Sequence, residues 1–243
     1  MKLTSIKVQL SLFLGLFAAY IAFIEKDFLF LFAIFIAVLF SAATDTLINY
    51  LKNKKITVTE SSIVTGLIIG YVLSSQGSWL IIALASIFAI VSKHVIRFRK
   101  VHIFNPAALG IFTVVLFFGA YTEWKTAYSW YILVPIGIYF ASRIKRLSII
   151  MSFFITSLFL HAPQAFLHNV SLLDIVAYLN YFFIFVMMIE PRTTPVRSSS
   201  QILFGIGVAT FIFAFYQFGV LLEAELYALL GVNFLGALLR KKT

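Results

Sequence analysis

Residues 8–24 read VQLSLFLGLFAAYIAFI, and residues 28–45 read FLFLFAIFIAVLFSAATD. Each run approaches the ~20 apolar residues that a helix needs to cross the hydrocarbon core of a bilayer. Only Glu25-Lys26-Asp27 separates the two runs, and no small-residue cleavage pattern follows the first. We therefore predict a retained first transmembrane span and not a cleaved signal peptide. Two spans joined by three residues are typical of a polytopic membrane protein.

The composition extends this prediction to the whole chain. Of 243 residues, 62% are hydrophobic and 12% are charged, whereas soluble domains average ~45–50% and ~25%. A soluble globule is excluded, and so is disorder, which requires low hydrophobicity and high charge. The apolar runs predict one all-α membrane domain over residues 1–243 with about ten transmembrane helices. The predicted spans are Val8–Ile24, Phe28–Asp45, Ser61–Ser75, Trp79–Ser92, Phe104–Tyr121, Ala127–Ser142, Leu147–Leu160, Leu172–Ile189, Gln201–Phe218 and Val220–Leu239.

The basic residues predict the orientation, because Lys and Arg are enriched in cytoplasmic loops. If the N-terminus is cytoplasmic, ten spans place 17 of the 19 Lys and Arg residues inside and only Lys26 and Lys125 outside. The inner side then carries +14 and the outer side −4, consistent with the net charge of +10. We therefore expect a protein of the cell (inner) membrane with both termini cytoplasmic. Because the positive charge follows topology, no nucleic-acid partner is expected.

The two halves of the sequence are similar to each other. Residues 1–121 and 127–243 each contain five predicted spans, and each half places an Asn among small residues at or within its fifth span, Asn105 and Asn233. Five spans per half would orient the halves oppositely, as in an inverted repeat, and transporters built this way bind their substrates where the repeats meet. The alternative is that any two helices rich in Leu, Gly and Ala resemble each other.

Polar residues in predicted spans are candidate ligand-binding groups. Asn105-Pro106 predicts a capped helix start, whose N–H groups could bind an anion or a ligand oxygen, or could carry no ligand. Ser61 and Thr65 lie at another helix start, where their hydroxyls could bind a ligand or join helices. Asn180 lies within a predicted span and is expected to find a partner on another helix.

Two acidic residues at inner span ends are candidates for an ion pathway. Asp45 ends the second predicted span, and Glu190 precedes the turn Pro191–Pro195, whose prolines interrupt the helix. The alternative for each is an ion pair at the surface; for Glu190 the available partners are Arg192 and Arg197.

Several chemistries are not expected. The chain has no Cys, so it cannot hold a Cys-ligated iron–sulfur cluster or a thiolate zinc site. The four His residues lie at span ends or in loops, which disfavours haem, and we predict no metal site. No nucleotide-binding glycine loop or Ser-His-Asp grouping is present, so independent catalysis with a soluble substrate is not expected.

Four motifs, two in each half of the chain, resemble those of a known family. Ser61-Ser-Ile-Val-Thr-Gly-Leu67 and His102-Ile-Phe-Asn-Pro-Ala-Ala-Leu-Gly110 resemble the first-half signature of the D subunit of Rnf electron-transport complexes and the B subunit of the sodium-translocating NADH:quinone oxidoreductase. Glu190-Pro-Arg-Thr-Thr-Pro195 and Ala228-Leu-Leu-Gly-Val-Asn233 are similar to its second-half signature, in which Asp usually precedes the first proline. The resemblance implies a five-plus-five inverted repeat related to urea channels, in the membrane core of a redox-driven ion pump.

Two departures from the family limit what the resemblance implies. Family members typically carry FMN on a threonine between the halves, but no such motif occurs between Gly110 and Glu190, and Ser41-Ala-Ala-Thr44 lies on the wrong side. No covalent FMN is therefore expected. The glycine-rich link that usually precedes the Phe-Asn-Pro-Ala run is replaced by Arg97-Phe-Arg99-Lys100. This basic link is suited to docking an acidic partner or a flavin phosphate.

The resulting hypothesis is a membrane subunit that passes electrons through non-covalently bound flavin (FMN or riboflavin) or quinone. Its expected partners are the lipid bilayer, other Rnf- or Nqr-like membrane subunits, and a soluble NAD(P)H- or ferredoxin-linked flavoprotein that docks on Arg97, Arg99 and Lys100 at the cytoplasmic face. The alternatives are a small-solute or ion channel of the urea-channel type and a non-catalytic scaffold subunit. The candidate cofactor-binding residues are Asn105, Asn233, Thr65, Ser61 and Thr193, and the candidate ion-pathway residues are Glu190 and Asp45.

Overall fold

The computed structural model describes residues 5–98, 101–126, 129–169, 171–177, 179–220 and 223–238. Within these residues the chain forms α-helices, one short π-helix and one two-stranded hairpin. It divides into two compact units, Met1–Tyr128 and Ser129–Thr243. The elements are α1 (Ile6–Glu25), α2 (Phe28–Asn53), α3 (Glu60–Val72), α4 (Trp79–Val95), β1 (Arg97–Phe98), β2 (Val101–His102), α5 (Pro106–Phe118), α6 (Trp130–Arg143), α7 (Leu147–Leu167), α8 (Leu172–Ala177), the π-helix (Phe183–Met187), α9 (Ser198–Gln217) and α10 (Ala224–Leu238).

The helices have the length and surface of membrane segments. Four described helices, α1, α2, α7 and α9, are long and apolar enough to cross a membrane, and α3, α4, α5 and α10 are shorter apolar helices. Large apolar side chains lie on the outside; Phe23, Phe159 and Leu203 are 74%, 77% and 69% exposed. Water would not favour so much exposed hydrocarbon, whereas lipid does. The protein is therefore an all-α polytopic membrane protein, as the sequence predicts.

In the first unit, α2 packs against α3 and α4, α4 packs against α5, and α1 packs against α3. The contact between α2 and α3 is close because two glycines of α3 face the α2 backbone. A Cβ atom on Gly66 would lie 2.6 Å from the Cα atom of Val38, and one on Gly70 would lie 2.8 Å from the Cα atom of Ile34. Small residues four apart let membrane helices approach closely and gain van der Waals contact.

Tyr71 joins α3 to α1 in the core of this unit. Its ring is fully buried, stacks on Phe17 with the centroids 6.2 Å apart, and meets the edge of Phe30 at 5.2 Å. Its hydroxyl donates a 2.6 Å hydrogen bond to the carbonyl oxygen of Leu14. The buried phenol is therefore satisfied by the backbone of a neighbouring helix.

The second unit has a similar order of contacts. Helix α7 packs against α9 and α8, α9 packs against α10, and α6 packs against the π-helix. A Cβ atom on Gly205 of α9 would lie 2.4 Å from the carbonyl oxygen of Ile149 in α7. Gly137 of α6 lies against the ring of Phe185 in the π-helix.

The predicted eighth span, Leu172–Ile189, is wrong as a continuous helix. Helix α8 ends at Ala177, and the π-helix Phe183–Met187 follows after a break. The side-chain oxygen of Asn180 accepts a 3.0 Å hydrogen bond from the backbone N–H of Phe183. Within the described residues, Asn180 therefore caps the second piece and does not bond to another helix as expected, because a short polar side chain competes well for nearby backbone groups.

Two predicted spans are shorter than the helices that contain them. Each predicted span ended at, or just before, a polar residue that the helix in fact includes. Helix α2 continues eight residues beyond Asp45 to Asn53, and α7 continues beyond Leu160 to Leu167. Asp45 is fully buried and satisfied by side chains of other segments, and His161 lies 2.9 Å from the carbonyl oxygen of Ser157. Polar side chains that find such partners can remain in a helix interior.

Candidate functional site

The most polar buried group of the first unit surrounds Asp45, which is 0% exposed. Its Oδ1 atom lies 3.2 Å from Nζ of Lys93 and 2.9 Å from Nε2 of His94, both on α4. Its Oδ2 atom accepts a 2.5 Å hydrogen bond from the hydroxyl of Thr59, just before α3. We call Asp45, Thr59, Lys93 and His94 the Asp45 cluster.

Asp45 was expected to be either an ion-pathway residue or a member of a surface ion pair, and the geometry matches the second description only in part. Asp45 does form an ion pair, but the pair is buried, since its side chain is 1% exposed and that of Lys93 is 6% exposed. A buried pair repays its desolvation cost only if the remaining lone pairs are also satisfied. Thr59 and His94 supply those bonds, so the cluster is complete in itself. The sequence offered no signal that these residues meet.

Arg97 extends the Asp45 cluster to the protein surface. Its Nε atom donates a 2.8 Å hydrogen bond to the carbonyl oxygen of Lys93, and one terminal nitrogen lies 3.4 Å from Nδ1 of His94. Arg97 is exposed and begins β1, which pairs antiparallel with β2. The described residues on the two sides of Arg99 and Lys100 are therefore paired as two short strands. Of the three residues expected to dock a partner, Arg99 and Lys100 lie outside the described residues.

Asn105 caps α5, as the Asn-Pro pair predicts. Its side-chain oxygen accepts a 3.1 Å hydrogen bond from the backbone N–H of Ala108, and Pro106 is the first helical residue. Asn105 is only 2% exposed. The helix N-terminus is therefore buried within the unit, where its dipole acts in a low-dielectric environment. Its role toward a ligand stays a prediction.

Thr65 and Ser61 lie on one side of α3 near its start. The hydroxyl of Thr65 donates a 2.8 Å hydrogen bond to the carbonyl oxygen of Ser61, and Thr65 is 5% exposed. Because its proton is used within the helix, Thr65 has only acceptor capacity left for a ligand. The next residue, Gly66, lies against α2.

The turn that follows the π-helix is held by its own threonines and by α7. The hydroxyl of Thr194 donates a 2.7 Å hydrogen bond to the carbonyl oxygen of Glu190 and accepts a 2.9 Å bond from Nε of Arg146. The hydroxyl of Thr193 lies 3.4 Å from both the carbonyl and a carboxylate oxygen of Glu190. Gln201 donates to the carbonyl oxygens of Lys145 and Val196. The motif is thus a compact, bonded turn.

Sequence reasoning did not identify Arg146 as a site residue. It immediately precedes α7 and is only 6% exposed. Burial lowers the pKa of its guanidinium from the ordinary value, but arginine stays charged in proteins. It is a fixed positive charge beside Thr194, and nothing in the spacing of the residues signals that contact.

Asn233, the counterpart of Asn105 in the second half of the sequence, is not at a helix end. It lies within α10, where its amide nitrogen donates a 2.7 Å hydrogen bond to the carbonyl oxygen of Leu229. Its side-chain oxygen is buried and, among the described residues, has no hydrogen-bond partner. A buried unpaired acceptor is unusual.

A second charged group lies where α1 meets α2. The carboxylate of Asp27 lies 2.7 Å from Nζ of Lys125 and accepts a 2.8 Å hydrogen bond from the hydroxyl of Ser75. Burial would raise the pKa of Asp27, but the hydrogen bonds from Lys125 and Ser75 outweigh it and hold that pKa below 3.8. Glu123 also pairs with Lys125. An open cleft of about 620 Å³ adjoins this group.

A comparison with known families gives one match. Residues 1–132 match the model described as the NQR2, RnfD, RnfE family, while no curated protein matches the chain. The matched segment includes all of α1 to α5, the hairpin, the Asp45 cluster and Asn105. This is more than half of the 243 residues, and the chain therefore belongs to the NQR2, RnfD, RnfE family.

Proposed function

We propose that this membrane subunit of an Rnf- or Nqr-type complex passes electrons through a non-covalently bound flavin or quinone and couples their transfer to ion movement. Family membership carries the proposal, since it makes the chain a partner of other membrane subunits of that type. Because the chain has no Cys, it cannot hold a Cys-ligated iron–sulfur cluster, which favours an organic cofactor as the electron carrier. We place both termini on the cytoplasmic side of the cell (inner) membrane.

Asn105 and the first turn of α5 are the proposed flavin contact in the first unit. The N-terminal N–H groups of a helix favour a phosphate or a carbonyl oxygen, and here they follow a family-like motif in buried surroundings. In the second unit, the unpaired side-chain oxygen of Asn233 is an acceptor for a ligand N–H or hydroxyl. Ser61, Thr65 and Thr193 are the further candidates, each near a helix end or turn.

Asp45 and Glu190 are the proposed stations of the ion pathway, and the hairpin is the proposed docking surface. Asp45 is the buried carboxylate of the first unit, and Glu190 lies at the bonded turn of the second. A soluble NAD(P)H- or ferredoxin-linked flavoprotein with acidic side chains would complement Arg97, Arg99 and Lys100.

Flavin titration of the purified chain tests the proposal. FMN and riboflavin are added separately, and binding is followed by the visible spectrum and by quenching of flavin fluorescence. We expect saturable binding, and we expect acid precipitation to leave the flavin in the supernatant, since no covalent bond holds it.

Two substitutions separate binding from helix capping. Asn105→Leu removes both the cap and the contact, whereas Asn105→Asp keeps a capping oxygen but opposes the FMN phosphate with a negative charge. Asn105→Asp should stay folded, lose at least about tenfold in FMN affinity, equivalent to about 1.4 kcal/mol, and lose less for riboflavin. Asn180→Leu removes a comparable cap elsewhere and should leave binding unchanged.

The opposite results would count against the proposal. If the wild-type chain binds neither flavin and copurifies with no redox partner, the electron-transfer role fails. Equal FMN affinity in Asn105→Asp and the wild type would leave Asn105 as a cap only. Flux of urea or small cations through liposomes that contain the chain alone would instead support a channel.

A further inference from the structure

The bonds around Asp45 determine what kind of ion it can exchange. Oδ1 is occupied by Lys93 and His94, and Oδ2 by Thr59, with a longer 3.5 Å contact from Asn49. A carboxylate has about four lone-pair positions, and all four are directed at donors. A metal cation would have to displace these donors and approach the ammonium group of Lys93.

Other features also disfavour a metal cation. Hard cations bind several oxygen ligands at once. Within the described residues, no group of three or more His, Cys, Asp or Glu side chains is placed to hold a metal ion. Asp45 is the only carboxylate in its cluster, so a proton is the ion that this arrangement can accept without losing its bonds.

His94 is the group on which a proton can add. Its Nε2 atom lies 2.9 Å from Asp45, and its Nδ1 atom lies 3.4 Å from a terminal nitrogen of Arg97. Asp45 and Arg97 fix the tautomer between them: the carboxylate accepts and the guanidinium donates, so Nε2 carries the hydrogen and Nδ1 is the acceptor. The imidazole is therefore neutral in this arrangement.

We propose that the Asp45 cluster takes up a proton, and not a metal cation, at Nδ1 of His94, and that Arg97 must move away for this to happen. The proton adds to the ring lone pair that faces Arg97, while the hydrogen on Nε2 stays bonded to Asp45. A protonated imidazole donates from both nitrogens, so it repels the guanidinium. This deepens the ion-pathway role proposed for Asp45 and rests on it.

The position of Arg97 links this proton to the docking surface. Arg97 is exposed on the hairpin, whereas the side chain of His94 is only 9% exposed. An acidic group that draws Arg97 outward would make proton uptake easier, and uptake would release Arg97 to such a group. The two events are reciprocal because they share one equilibrium.

The other charged groups near His94 leave this coupling in place. Burial opposes protonation of His94 most strongly, and Asp45 favours it. Lys93 on the same helix and Lys52 of α2 also oppose it. Among the other elements packed on α4, α3 carries Glu60, which accepts a hydrogen bond from Ser5, and α5 has no titratable side chain. His102 of β2 is buried, 3% exposed.

Nitrogen NMR of the isolated chain, with ¹⁵N-labelled histidine rings, tests the proposal. The His94 signals are assigned from their loss in His94→Gln. At high pH we expect a protonated Nε2 and a bare Nδ1; the reverse tautomer would overturn the proposal. The tautomer is read from the wild-type chain without flavin, and the variant serves only to assign the signals. Failed flavin binding would therefore not affect this measurement, and its failure would leave the flavin proposal standing.

Arg97→Gln should raise the proton affinity of His94 about fivefold, the effect of removing one positive charge at about 4 Å in water. Arg97 is exposed, so the variant should fold. The matched control is Arg143→Gln, which removes another predicted inner-side arginine, one that lies over the ring of Tyr139, and it should leave the titration of His94 unchanged. No change in Arg97→Gln would overturn the coupling.

The last arm distinguishes the two ions. Choline chloride is replaced by sodium chloride at constant ionic strength, in a chain that also carries ¹³C-labelled aspartate carboxylates, while the His94 and Asp45 signals are recorded. We expect neither signal to respond. A saturable, sodium-specific shift of the Asp45 carboxylate signal, or a decrease in the proton affinity of His94 with sodium, would overturn the assignment to a proton.

Discussion

Removal of either charge of the ion pair between Asp45 and Lys93 should strongly destabilise the protein. Their side chains are 1% and 6% exposed, and the atoms Nζ and Oδ1 are 3.2 Å apart. Removing one partner of such a pair leaves an uncompensated buried charge and typically costs about 3–5 kcal/mol. We therefore expect Asp45→Asn and Lys93→Met each to lower the free energy of unfolding by about that amount.

The double variant is the informative one. With both charges gone, neither is left unpaired, so the double variant should lose less than the sum of the two single losses by at least about 2 kcal/mol. Reversible unfolding in mixed detergent micelles measures all three free energies. Lys52→Met is the matched control, because Lys52 lies exposed in the last turn of α2, the helix that carries Asp45. This variant should change stability by less than about 0.5 kcal/mol. Additive single losses would refute the reasoning, since they would mean that Asp45 and Lys93 do not stabilise each other.

Two further predictions concern packing and pH. Gly66→Ala should destabilise the protein by more than about 1 kcal/mol, because the new Cβ atom would lie 2.6 Å from the backbone of α2. Gly15→Ala should have little effect, because nothing lies within 4 Å of the new atom. Equal melting temperatures of the two variants would contradict this prediction. The ion pair of Asp27 with Lys125 should be lost when the pH falls through the pKa of Asp27, which lies below 3.8. It should also be lost when the pH rises through the pKa of Lys125. Burial opposes the charge of Lys125, but its carboxylate partners outweigh burial and raise that pKa above 10.5. Stability from this pair is therefore fully present between the two ordinary values, and Asp27→Asn should reduce the acid dependence of unfolding measured from pH 6 to pH 3.

The helices could be predicted where hydrophobicity alone decides them. Long apolar runs became α1 and α9 nearly as expected, because hydrocarbon surroundings require every backbone group to bond within the segment. Prediction failed where a polar side chain satisfied itself locally or at long range. Asn180 capped a break inside an expected span, and Asp45 stayed within α2. A periodicity argument contains no information on such bonds.

In the candidate sites, too, local contacts could be predicted from the sequence and long-range contacts could not. The capping role of Asn105 follows from a four-residue pattern, since the Asn-Pro pair and the bonded N–H of Ala108 are close in sequence. The contact of Asp45 with Lys93 joins residues 48 apart, and so does the contact of Arg146 with Thr194. Pairings of this separation depend on how helices pack, so one sequence without an alignment could not have predicted them.

The order of contacts is similar in the two units, while the five-plus-five inverted repeat itself stays a prediction. In each unit the second helix packs against the fourth and the fourth against the fifth, with α7, α9 and α10 following the order of α2, α4 and α5. In each unit, the residue just before the second helix also makes a polar bond to a residue further along the chain. Asp27 accepts a hydrogen bond from Ser75, which follows the third helix, and Arg146 donates one to Thr194, which follows the π-helix. The likeness of the two units therefore extends from their apolar helices to polar bonds at matching positions.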